Sequence, residues 1–204
     1  MVLIFCVACA VYINSLNNQF TNWDDTNLIA NNELIRSLDV KNIKKIFDFH
    51  APGTYQPVRV LSYAIDYYFW KLNPFGYHAH SIFLHAFASV FLYLLLSHII
   101  PLIRGMGKIE DKTAKYVAFF TALVFAVHPL SVEAVTWLSG RKYVLLSFFS
   151  FCSLYLFAES FKAETGQFCL ISGSVFLAVL AALSSPFGVI IPLIVFVCIF
   201  SMDE

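Results

Sequence analysis

Charge is what this sequence has least of. Lys, Arg, Asp and Glu make up 13% of its 204 residues, about half the share usual in a soluble domain. The two signs cancel to a formal net charge of zero, which suggests neither a basic nucleic-acid surface nor a polybasic lipid-binding patch. Usable cysteine chemistry is scarce too. Cys6, Cys9, Cys152, Cys169 and Cys198 all lie in or beside apolar runs. Cys6 and Cys9 have C-x-x-C spacing, but no second pair, histidine partner or βαβ pattern accompanies them. They read as small buried hydrophobes, not as redox groups or metal ligands. Nor is there the dyad alternation of a membrane barrel, and open strand edges cannot face lipid.

What the sequence has in abundance is apolar helix. Hydrophobic residues account for 59% of the chain, with 22 Phe and a mean hydropathy of +0.74. Apolar runs occur at 1–13, 76–103, 116–127, 144–158, 168–183 and 187–201. A crossing takes about 20 residues, so the first run reads as a membrane helix shortened at its start. It lacks the basic leader and small-residue cleavage site of a signal peptide. The expected fold is all-α, a polytopic helical membrane protein with about six transmembrane helices in one domain over 1–204.

Residues 17–75 form the one long polar segment, expected as the first extracytoplasmic loop. Val40, Ile43, Ile46 and Phe47 recur at helical spacing, predicting a surface-lying helix over 40–49. A turn at Ala51-Pro52-Gly53 follows, then a second amphipathic helix over 58–70, broken at 73–76. Its cluster of Tyr63, Tyr67, Tyr68, Phe69 and Trp70 suits the headgroup interface. Arg104, Lys108, Lys112 and Lys115 make the short loop 104–115 basic, which places it in the cytoplasm by the positive-inside rule. The raw count runs the other way, with eight Lys or Arg in the outer segments against five inside. A loop as long as 17–75 nears the length at which that bias stops governing orientation.

Four blocks carry candidate chemistry. In Phe20-Thr21-Asn22-Trp23-Asp24-Asp25, each carboxylate opposes ionisation of the other, which favours one as a base near neutral pH; solvated turns use the same dipeptide. In Tyr55-Gln56-Pro57-Val58-Arg59, the guanidinium can hold a phosphate bidentately or snorkel to headgroups. In Gly76-Tyr77-His78-Ala79-His80, His78 shares a helix face with His85; no nearby carboxylate or Cys completes a metal set, and hydrogen bonding or substrate contact is the favoured reading. The fourth block, 128–142, gathers His128, Glu133, Arg141 and Lys142 beside apolar helix. Arg141 and Lys142, after a Gly, could neutralise an anionic leaving group, or Glu133 and an arginine could form a buried packing pair.

In this order the four blocks resemble one family. The chain is similar to the N-terminal membrane region of the tetratricopeptide-repeat O-mannosyltransferase-like proteins, within the GT-C glycosyltransferase superfamily. The matching pieces are 20–25, 29–33 with its paired Asn, 55–59, 72–85 and above all 128–142. The resemblance implies a GT-C-like fold, of which 1–204 is the N-terminal half. It implies transfer of a mannose-like sugar from a polyprenyl- or dolichyl-phosphate donor to a Ser or Thr hydroxyl of an acceptor protein, with inversion. Asp24 and Asp25 are then the catalytic acids. Arg59, His128, Arg141 and Lys142 hold the donor phosphate, and Tyr55, His78, His85 and Glu133 bind substrate or support the site. No metal is expected. The implied setting is a bacterial inner membrane or the endoplasmic reticulum, active face outward, among membrane lipid and without nucleic acid.

Two departures from the family stand out. The chain contains no 34-residue repeat, and Ser184-Ser185-Pro186 stands where relatives often carry Ser-Lys, which removes one candidate cation. A non-catalytic scaffold that keeps the fold is the alternative. A small transporter fits less well, because the ionisable residues cluster at one face instead of along several spans.

Overall fold

A computed structural model of the chain describes residues 1–49, 54–102, 110–191 and 193–194. Every regular element among them is helical: α1 (Val2–Tyr12), α2 (Val40–Ile46), α3 (Pro57–Trp70), α4 (Pro74–Ile99), α5 (Asp111–Val127), α6 (Ser131–Thr136), α7 (Arg141–Ser160) and α8 (Gln167–Ser184), joined by short 3-10 and π turns. The protein is all-α. Three stretches, Pro74–Ile99, Leu138–Ser160 and Gln167–Ser184, are long and apolar enough to cross a membrane. α4 alone reaches roughly 39 Å at 1.5 Å per residue. Val2–Asn17 is a shorter apolar helix, and α5 has 17 residues. The expected turn at Ala51-Pro52-Gly53, Arg104 and Lys108 of the basic loop, Cys198 and residues 192 and 195–201 of the run 187–201 lie outside the described residues.

Small side chains set the bundle's spacing. Ala114, Ala118, Ala122 and Ala126 recur every fourth residue along α5 and are all fully buried. Ala122 and Ala126 meet Ile4 and Ala8 of α1 and Ala86 of α4. Among apolar helices in lipid, such a stripe supplies association through close backbone approach rather than through hydrophobicity. α7 and α8 are pinned across their middles, where the Ser153 hydroxyl donates to the Ser174 carbonyl at 2.8 Å. Gly166, at φ +77°, makes the left-handed turn between them, a conformation glycine adopts without steric penalty. The cysteines depart from the expectation. Cys152 is buried, but Cys6 and Cys169 are exposed and Cys9 lies between.

The polar segment after α1 folds over one end of the bundle around its own core of Ile29, Ile35, Ile46, Tyr63, Ala64, Tyr77 and Leu138. Its short helices are capped locally. Asp39 accepts from the Asn42 amide at 2.7 Å to start α2, and Asn32 accepts from the Leu34 amide at 2.9 Å while donating to the Leu28 carbonyl at 3.0 Å. Both caps use side-chain groups to satisfy backbone polarity left open at helix ends. The helix 58–70 does break after Trp70, at Lys71–Asn73, but Pro74–Gly76 of the foreseen break already belong to the next helix. Asn73 caps α4 by accepting from the Phe75 amide, and Pro74 occupies the first turn, where its missing N–H is no loss.

Because helix directions alternate, the starts of α4 and α7 and the ends of α1, α5 and α8 share one end of the bundle with α3 and α6. All four sequence blocks therefore fall there.

Candidate functional site

The acid pair is split by its surroundings. Asp25 is 1% exposed. One of its oxygens accepts from the Thr21 amide at 3.0 Å and the Thr21 hydroxyl at 2.9 Å; the other accepts from the Ser139 amide at 3.0 Å and the Ser139 hydroxyl. Four donors saturate that carboxylate and tie the first loop to the turn before α7. Trp23 reinforces the tie by stacking on Trp137, ring centres 5.8 Å apart. Asp24, next in the chain, stays exposed.

Arg141 has the opposite fate from an open phosphate ligand. It is fully buried. Its guanidinium is paired with Asp66 and donates to the Tyr77 carbonyl at 2.6 Å and to the Ser81 and Ser62 hydroxyls at 3.1 and 3.4 Å. The rings of Tyr63 and Tyr77 lie against it at 4.8 and 5.8 Å, a cation–π arrangement strengthened by desolvation. The other Asp66 oxygen meets His80 Nδ1 at 2.6 Å. The buried acid–base pair in this protein is thus Asp66–Arg141, not Glu133–Arg141; Glu133 is exposed on α6. Gly140 is required beside it, since a β-carbon there would sit 2.9 Å from the Glu133 carbonyl oxygen.

Arg59 is the cation left over. It is 7% exposed and its Nε lacks a hydrogen-bond partner. Burial pushes its pKa below the ordinary arginine value, while Tyr63, Asp24 and Tyr143 oppose that shift. Asp24 is the carboxylate among these neighbours, which puts a buried cation within electrostatic reach of the exposed acid. Lys142 lies half-buried with its ammonium 5.0 Å from the Tyr143 ring centre.

The histidines divide by role. His85 Nε2 donates to the Ala126 carbonyl at 3.1 Å. α5 stops because Pro129 cannot donate to the Phe125 carbonyl; the Ser131 hydroxyl contacts that oxygen at 3.3 Å instead. His85 and Ser131 thus complete the end of α5, which accounts for the buried imidazole and the half-buried hydroxyl there. His128 is exposed and its Nδ1 accepts from the Leu130 amide at 3.2 Å. His78 is 1% exposed, near Asp25 and Arg141, with neither ring nitrogen hydrogen-bonded; the Asn18 backbone is near it but out of hydrogen-bond geometry. Tyr55 sits at the loop's edge, donating to the Phe47 carbonyl at 3.2 Å.

Of the expected site residues, the structure brings Asp24 and Asp25 to the end of the bundle that holds Arg59, His128, Arg141 and Lys142. Sequence reasoning missed Asp66, Thr21 and Ser139. Asp66 carried a signal, being the one acid inside the aromatic helix 58–70; nothing local marked the other two. Among the described residues, no three His, Cys, Asp or Glu side chains converge as a metal-ion group.

The chain is similar over nearly its whole length to named proteins. The protein O-mannosyl-transferase TMTC1 of Mus musculus is 29% identical over 97% of this chain and 20% of its own length. Its Homo sapiens counterpart is 30% identical over 97% of this chain and 21% of its own length. The protein O-mannosyl-transferase TMTC3 of Mus musculus is 30% identical over 78% and 16%. The chain thus spans about a fifth of the length of these curated relatives. No family model and no solved structure matches it. These relatives bear out the resemblance carried by the four motif blocks: the chain is a relative of the tetratricopeptide-repeat O-mannosyltransferase-like family.

Proposed function

We propose that the chain forms the acid-bearing part of a membrane O-mannosyltransferase site of GT-C type, working on the face of the membrane away from the cytoplasm. The donor is a mannose-like sugar on a polyprenyl phosphate, and the acceptor is a protein Ser or Thr. The hydroxyl oxygen attacks the anomeric carbon as the bond from that carbon to the phosphate oxygen breaks. The hydroxyl proton passes to the Asp24 carboxylate, and polyprenyl phosphate leaves. A single displacement inverts the anomeric carbon. A hydroxyl is a weak nucleophile, and a positioned carboxylate supplies the proton acceptor it needs.

The observation that supports this reading best is the division of labour within the acid pair. Asp25, saturated by four donors, anchors the loop, which leaves Asp24 as the carboxylate with open capacity. Arg59, buried and incompletely bonded, supplies the fixed charge for the departing phosphate, with Lys142 and His128 at the same end of the bundle. Preorganised charge of this kind needs no reorganisation as the leaving group develops. Arg141, occupied by Asp66, serves as scaffold for the turn that carries Ser139.

The test is sugar transfer by the full-length natural protein in membranes, from a lipid-linked mannose donor to a Ser/Thr peptide. Asp24→Asn is expected to abolish transfer with expression and folding intact. Undiminished transfer by this variant overturns the assignment, and absence of transfer by the wild type favours the scaffold.

A further inference from the structure

Among the described residues, Lys71 is the one non-glycine residue with a left-handed backbone, at φ +54°. A β-carbon makes that conformation costly, and glycine is its usual occupant. The position is nonetheless held at both ends. The Lys71 amide donates to the Tyr67 carbonyl at 2.9 Å, and its carbonyl accepts from the Tyr77 hydroxyl at 2.8 Å. Trp70 fixes the elbow between α3 and α4 further, its ring covering Gly76 so closely that a β-carbon there would lie 2.1 Å from it. Backbone strain enforced this firmly is kept where a side chain is needed.

That side chain meets a second cation. The Lys71 ammonium lies 5.0 Å, and the Arg36 guanidinium 4.6 Å, from the centre of the Tyr67 ring. The ring attracts both charges while leaving their N–H donors open. Arg36 spends one nitrogen on the Ala30 carbonyl, but its Nη1 has no partner. Among the described residues, no carboxylate pairs with either cation. A net charge of zero gives no sign of such a patch; folding assembles it from residues 35 positions apart. Next to it in the chain, Tyr68 is 61%, Phe69 70% and Leu72 43% exposed. α4, long and apolar enough to cross a membrane, starts at Pro74, so the elbow stands at the depth of the lipid headgroups.

Each feature restricts the ligand. Two cations with open donors take an anion that has several acceptor oxygens. Exposed aromatic and aliphatic side chains at headgroup depth take acyl chains, which inorganic phosphate lacks. A zwitterionic headgroup carries its own cation and would answer only part of the charge. Arg59 precedes Lys71 by 12 residues, about 18 Å along α3 at 1.5 Å per residue, so this place is separate from the one assigned above to the departing phosphate. We propose that Arg36, Lys71 and Tyr67 bind the phosphodiester of an anionic glycerophospholipid of the surrounding leaflet, its acyl chains lying along Phe69 and Leu72. The lipid neutralises two like charges that the fold brings together, and it holds the α3–α4 elbow at headgroup depth. This site stands whether or not the chain transfers sugar.

The experiment uses the full natural chain purified in a neutral detergent, with lipid retention read by native mass spectrometry. Phosphatidylglycerol should be retained at least about fivefold more than phosphatidylcholine of the same acyl chains. Lys71→Gln, alone or with Arg36→Gln, should erase that preference, whereas Lys71→Arg should keep it. Lys41→Gln with Lys44→Gln, which removes two exposed charges of α2, should leave it unchanged. Lys71→Gly separates binding from structure: it should lose the preference while raising the melting temperature, because glycine relieves the strain. Equal retention of the two lipids by the wild type overturns the proposal. So does an equal loss in the Lys41 and Lys44 variant, which would mark a diffuse basic surface. Displacement of phosphatidylglycerol by equimolar polyprenyl phosphate, or by inorganic phosphate alone, overturns the glycerophospholipid as occupant. Should Arg36→Gln fail to fold, the exposed Lys71 carries the test by itself.

Discussion

Asp66 and Arg141, 75 positions apart in sequence, are the charge partners at the centre of the site end, with exposures of 4% and 0%. Two further ties converge on the same turn: Ser139 to Asp25, and Tyr63 to the Leu138 carbonyl at 2.7 Å. The residues that position the exposed acid are therefore mostly not the ones that can react.

Removing one member of the buried pair should be far worse than removing both. Asp66→Asn leaves a desolvated guanidinium without its counter-charge, a loss of about 3–5 kcal/mol. Asp66→Leu combined with Arg141→Met should recover much of that stability. Thermal unfolding in detergent of the two single variants and the double variant measures the difference. Equal melting temperatures for all three would show the pair to be unimportant.

The two acids should respond differently to the same change. Asp25→Asn replaces an acceptor-only group with an amide that must misdirect its donors at a site full of N–H and O–H groups. A stability loss of about 1–3 kcal/mol is expected, with Ser139→Ala falling in the same direction. Asp24→Asn should leave unfolding unchanged while removing transfer. Paired stability and activity measurements on these variants separate anchor from base.

Gly140→Ala should destabilise the turn, because the added carbon meets the backbone of Glu133 and Ala134, at 2.9 Å and 3.2 Å, and backbone cannot swing aside. A cost of about 1–3 kcal/mol follows from forced overpacking. Protease resistance of the 131–141 segment reports the change; wild-type resistance would contradict the close approach.

Alkaline pH should weaken the fold through Tyr63. Burial pushes its phenol up to about 12, against the pull of Arg141 and Arg59, while an unfolded tyrosine titrates near 10. The folded state thus holds the proton more tightly than the unfolded one. Its stabilising contribution is complete below about pH 10 and is lost as pH climbs through about 12. Ultraviolet titration of Tyr63→Phe beside the wild type should show one late-ionising phenol fewer.

Lengthening the small-residue stripe should separate helices. Ala122→Leu inserts bulk where α5 meets α1 and α4, and a loss of about 1–3 kcal/mol is expected. Cross-linking between cysteines placed on α1 and α5 would show the change in spacing.

Much of the architecture was legible from local pattern. Apolar runs bounded by polar residues marked α4, α7 and α8 because lipid permits only internally bonded backbone. Aromatic spacing marked α3, and the 40–49 pattern marked α2 to within a few residues. Asn73-Pro74 was read as a break because proline ends helices, yet the same residue is favoured in a helix's first turn. Asp24 and Asp25 are identical neighbours in the sequence, so no local rule could assign one to the interior. That choice belongs to Ser139, more than a hundred residues away.

By itself the sequence determined an all-helical bundle in a membrane and which residue types gather at one of its ends, since hydropathy and periodicity act over a turn or a span. Only the tertiary structure decided which acid is anchored and which is open, that Arg141 answers Asp66 rather than Glu133, and that His85 and Ser131 finish α5. Those outcomes depend on which donors approach which acceptors across the bundle, and burial makes each such pairing close to obligatory.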